Sequence, residues 1–102
     1  MKELSKRYIL HDGTILSIQA SEVHYSTPRN NIGPYTAAEV HIALGSGPDG
    51  WGAYEDGEEG AYYGYVPIDL IEKFIADRGG IHLGIMLLLL KNVIRKLTLY
   101  NN

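Results

Sequence analysis

The hydrophobic pattern of this chain changes period once, and a glycine-rich stretch stands at the change. Before residue 45 apolar residues tend to alternate, and after residue 67 they recur at helical spacing. The stretch between, from Gly45 to Gly64, reads GSGPDGWGAYEDGEEGAYYG. A period of two places side chains on alternate faces of a strand, whereas a period of 3.6 builds one stripe along a helix. Strands followed by helices confine the chain to an α+β layout around one core. A length of 102 residues fits a single domain spanning 1–102.

Residues 7–10 (RYIL) and 14–20 (TILSIQA) flank His11-Asp12-Gly13. Asp-Gly between two apolar runs predicts a hairpin with a tight type I′ turn. In the second run Leu16, Ile18 and Ala20 share one face, and Ser17 and Gln19 share the other. The parity flips at Val23 and Tyr25, which requires a bulge or break near Ser21-Glu22. Residues 26–34 (STPRNNIGP) carry turn chemistry throughout. Residues 35–44 then alternate, with Val40, Ile42 and Leu44 on one face and Tyr35, Glu39 and His41 on the other. Residues 62–66 (YYGYV) read as a fourth strand with a weak point or bulge at Gly64.

Leu70, Ile71, Phe74 and Ile75 make the apolar stripe of a helix of about three turns. Pro67 and Asp69 suit its start, and Arg78-Gly79-Gly80 suits its end. The segment from Ile81 to Leu90 is apolar all round, and Lys91, Arg95 and Lys96 follow at helical spacing. Its leucine content favours a second helix over residues 81–100, with the apolar start covered by the sheet or by a second copy of the chain in a homodimer. The expected fold is therefore α+β, a three- to four-stranded antiparallel sheet followed by two helices packed on one face.

Cysteine is absent, which removes disulfides, thiolate metal sites and cysteine nucleophiles. The basic first ten residues contain no apolar signal core, and the longest apolar run is about half of a membrane span, so the expectation is cytoplasmic with no membrane partner. Net charge is only −3, but eight acids and no Lys or Arg lie between Asn30 and Glu72. Either the basic ends fold back and neutralise that segment, or its field serves a partner.

The 45–64 stretch holds seven of the twelve glycines, five of the twelve acids, the sole tryptophan and three of the eight tyrosines. It lacks the Gly-Lys-Ser/Thr ending of a phosphate loop and the register of a calcium loop. The four histidines show no zinc spacing either, so no metal and no cofactor are expected. A long loop mixing carboxylates with aromatics fits a protein partner with a basic surface, and its acids disfavour direct nucleic-acid binding. The expected partner-binding residues are Trp51, Tyr54, Glu55, Asp56, Glu58, Glu59 and Tyr62. A second reading is a small-ligand site in the 24–31 loop, with His24, Tyr25, Arg29 and Asn30 binding a nucleotide signal, since an arginine fork matches an oxyanion. A third is a small enzyme using Glu39 and His41, which share one strand face as a general acid–base pair.

The segments HYSTPRNNIGPYTAAEV and YGYVPIDLIEKFIADRGGI resemble small proteins of phages and mobile elements in Firmicutes, of the anti-CRISPR and wider anti-defence type. Proteins of that type inhibit by covering a partner or by trapping a signalling nucleotide. The resemblance implies a non-enzymatic inhibitor or accessory factor. It transfers no individual residue.

Overall fold

The computed structural model describes residues 4–57 and 61–84. Strands β1 (Leu4–Ile9), β2 (Ile15–Ala20), β3 (Ala37–Leu44) and β4 (Tyr62–Pro67) form one antiparallel sheet in chain order, and helix α1 (Ile68–Asp77) follows β4 directly. The layout is α+β with four strands. α1 is the one complete α-helix among the described residues; Leu83 and Gly84 are also helical at their edge, and the expected pair of helices is not shown. Ile81 does not open a helix there but forms a bridge with Leu10, and the His82 N–H donates to the Ile9 carbonyl at 2.7 Å. The rest of the expected second helix, and most of the 81–90 dimer surface, lie outside the described residues.

The first hairpin pairs Ile9 with Ile15 in antiparallel register. Its turn is one residue longer than the Asp-Gly signal implied. Leu10 and Thr14 close it, the Gly13 N–H donates to the Leu10 carbonyl at 3.0 Å, and Gly13 alone takes a positive φ, +92°. This is the three-residue hairpin loop with glycine in the left-handed position. Asp12 keeps a negative φ and instead uses its carboxylate to accept the Thr14 backbone N–H at 2.9 Å.

Alternation along β2 is realised as read: Leu16, Ile18 and Ala20 are buried, and the residues between them are half-exposed. On β3, Ala38, Val40 and Ile42 join the same core, but Leu44 is 59% exposed. The cause is an extra residue on β3, since Leu16 pairs with Ile42 while its neighbour Ile15 pairs with Leu44. The bulge at Ala43 breaks the alternation there. Ile71 and Phe74 of α1 complete the core with Leu10, Trp51, Tyr63 and Val66, while Leu70 and Ile75 pack at its margin.

Both ends of α1 are tied down. The Ile68 N–H donates to the Thr36 carbonyl at 3.0 Å, which anchors the helix to the start of β3. At the other end the Gly79 N–H bonds the Ala76 carbonyl at 3.1 Å and the Gly80 N–H bonds that of Ile75 at 2.9 Å. With Gly79 at φ +92° this is a Schellman closure, and it turns the chain back toward the first hairpin.

Candidate interaction surface

Two halves of the 45–64 stretch behave differently. Trp51 is only 3% exposed. Its indole meets the Tyr63 ring edge-on at 5.4 Å and the tilted Phe74 ring at 5.3 Å, so it belongs to the core. Trp51 is thus removed from the expected set of surface anchors. A single 3-10 turn, Gly52–Tyr54, follows, and Tyr54 also packs against the core. The chain then runs along the outer edge of β4: Glu55 bridges Tyr63, and the Asp56 N–H donates to the Tyr62 carbonyl at 2.9 Å. Glu55 and Asp56 are consequently exposed beside Tyr62, itself 40% exposed. Glu58 and Glu59 lie outside the described residues.

Arg78 fastens the inward half. Its guanidinium lies 4.7 Å over the Phe74 ring and donates to Thr14 Oγ1 and Ser46 Oγ, each at 3.2 Å. It also stands 3.5 Å from Asp12. Hydrogen bonds from Thr14, and then the Arg78 charge, hold the Asp12 carboxyl below its ordinary value. Because the folded pKa lies below the unfolded one, the ionised carboxylate contributes stability above about pH 4. That contribution is lost as pH falls through the folded value. Asp12→Asn is expected to show a shallower fall of thermal midpoint below pH 4 than the wild type; equal slopes would contradict this account.

The wet face of the sheet gathers residues from three separate parts of the sequence. Glu39 and His41 project from β3. The His41 ring stacks on Tyr62 of β4 at 4.2 Å with planes 9° apart. Glu39 accepts the Tyr25 backbone N–H at 3.1 Å on Oε2. The Tyr25 ring in turn stacks on Tyr65 at 5.5 Å, and the Arg29 guanidinium lies 5.4 Å over Tyr25. The 24–31 loop, the Glu39/His41 pair and Tyr62, three independent candidates in the sequence, therefore share one face.

Tyr65 was not singled out in the sequence, and its position depends on a bulge. Val40 pairs with Tyr63 but Ala38 pairs with Val66, leaving an extra residue on β4 at Gly64-Tyr65. The bulge expected at Gly64 is there, and Tyr65 within it takes φ +55°, the one positive φ at a described non-glycine residue. A left-handed tyrosine costs about 1–2 kcal/mol. Two local contacts fix it: the Tyr65 N–H donates to the Tyr25 carbonyl at 2.8 Å, and Gly64 lets Tyr25 approach to where a Cβ would meet Tyr25 Cβ at 3.0 Å.

The other members of the 24–31 set are half-buried and bonded within the loop. His24 Nδ1 is 2.6 Å from Ser21 Oγ, and Asn30 Oδ1 accepts the backbone N–H groups of Ile32 and Gly33, each at 3.0 Å. Tyr35 donates to the Asn30 carbonyl at 2.8 Å. These bonds stiffen the loop, and Tyr25 and Arg29 are the exposed members of the candidate set. Glu39 and His41 are engaged with Tyr25 and Tyr62, and no hydrogen bond joins the two to each other among the described residues.

Asp49, Glu55 and Asp56 form no ion pair among the described residues, where the ion pairs are Lys73–Asp77 and Arg78–Asp12. Inside the domain, burial and then the Glu55 charge hold the Tyr63 phenol above its ordinary value, so it stays protonated. A cleft of about 480 Å³ opens between α1 and residues 48–51 over Trp51 and Phe74. No cluster of three metal-ligating side chains occurs among the described residues, and no described helix is long and apolar enough to cross a membrane. Comparisons with protein-family models, curated proteins and solved structures found no match.

Proposed function

We propose that this chain is a non-enzymatic binding protein that engages a basic protein partner through the outer side of β4. Tyr62 is the anchor, backed by His41, and Glu55 and Asp56 steer the partner toward it. The observation that carries the reading is the pairing of residues 55–56 with β4, which sets two carboxylates, in no ion pair among the described residues, beside an exposed tyrosine. A half-exposed tyrosine next to exposed carboxylates is the composition of a steered interface with an aromatic hot spot. An inhibitor or accessory factor, which covers its target instead of converting it, is the role such a surface serves. The test is capture of a partner from a bacterial lysate. Wild-type chain is expected to retain a basic protein that Tyr62→Ala/Glu55→Lys/Asp56→Lys does not, and equal retention by both would refute the reading.

A further inference from the structure

The Arg29–Tyr25–Tyr65 stack lies outside that partner contact and is built with more care than an exposed patch needs. Tyr65 is held in a left-handed conformation that glycine would occupy without strain. Tyr25 is held on both sides of its backbone, by the Glu39 carboxylate at its N–H and by the Tyr65 N–H at its carbonyl. Gly64 is the small residue that permits the approach. All of this orients two rings that remain 38% and 45% exposed and so contribute little to the core. Strain kept at an exposed position points to use of the side chain placed there.

The chemistry of the stack is specific. Two near-parallel tyrosines, 17° apart, offer flat π surface. Arg29 completes one side with a guanidinium that makes no hydrogen bond or ion pair among the described residues. A stacked arginine of this kind keeps its donor fork free for an oxyanion. We infer that Tyr25, Tyr65 and Arg29 form a binding site for a planar aromatic group carrying an oxyanion, the chemistry of a nucleoside monophosphate. The ring stacks on the tyrosines and the anion pairs with Arg29. The surrounding carboxylate Glu39 disfavours a long polyanion, so a free nucleotide fits better than a strand.

The probes are AMP, GMP, CMP and UMP, titrated into the full chain while the tyrosine ring resonances are followed by NMR. At least one is expected to shift Tyr25 and Tyr65 and to raise the thermal midpoint. Its parent nucleoside, lacking the phosphate, should bind about tenfold more weakly, as should the Arg29→Gln variant. Tyr65→Gly should lose binding by a similar factor, the size of one lost stacking contact. Because glycine relieves the left-handed strain, Tyr65→Gly should leave the thermal midpoint in the absence of nucleotide unlowered. A tetranucleotide that binds no tighter than its monomer identifies the free nucleotide as the ligand; much tighter binding identifies a strand end. Absence of shifts with all four nucleotides, or shifts that survive both Arg29→Gln and Tyr65→Gly, would overturn the site. Neither variant touches Tyr62, Glu55 or Asp56, so partner capture and nucleotide binding fail independently.

Discussion

Trp51→Ala is expected to destabilise the domain by about 3–5 kcal/mol, the largest stability loss of any single substitution considered for this chain. The indole is buried between Tyr63 of β4 and Phe74 of α1, so its removal opens a cavity where loop, sheet and helix meet. The edge-on and tilted ring contacts add to the area term, at about 0.5–1.5 kcal/mol for each aromatic pair. Domains of this size are stable by only about 5–15 kcal/mol. The variant should therefore unfold at a much lower urea concentration, with an unchanged slope. A loss below about 1 kcal/mol would mean that Trp51 is not the keystone of the loop–helix contact.

Removing the surface groups should have the opposite profile: little effect on stability and a large effect on binding. Tyr62 is 40% exposed, and Glu55 and Asp56 are in no ion pair among the described residues, so their replacement leaves the core intact. An aromatic hot spot is worth about 2 kcal/mol or more, so Tyr62→Ala should weaken partner affinity by about thirtyfold. Glu55→Lys/Asp56→Lys should act mainly on the association rate, with the difference from wild type shrinking as salt screens the field. A Tyr62→Ala variant that binds within twofold of wild type would remove the tyrosine from the interface.

The strands and α1 were legible because their signals are local. Period-two alternation in residues 14–20, the stripe of Leu70, Ile71, Phe74 and Ile75, and the glycine pair after Arg78 each specify one element without reference to the rest of the chain. Structure and sequence pattern part where one residue shifts the pattern. The extra residue at Ala43 exposes Leu44, and the extra residue at Gly64-Tyr65 brings Tyr65 beside Tyr25. The Gly64 signal located that bulge but not the ring it would redirect. Composition groups Trp51 with the loop acids and so points it to the surface. Its burial depends on a 3-10 turn and on Arg78 contacts that reach back to Ser46 and Thr14. A tryptophan's large apolar surface was the available counter-signal. The convergence of residues 25, 39 and 62 on one face follows from sheet order and could not be derived from any of the three segments alone.

Carboxylate footprinting of the captured complex tests the central claim most directly. The account predicts that Glu55 and Asp56 lose reactivity on binding while Asp69 and Glu72, exposed on α1, keep theirs. Protection of the α1 carboxylates with Glu55 and Asp56 still reactive would place the partner on the helix and contradict it.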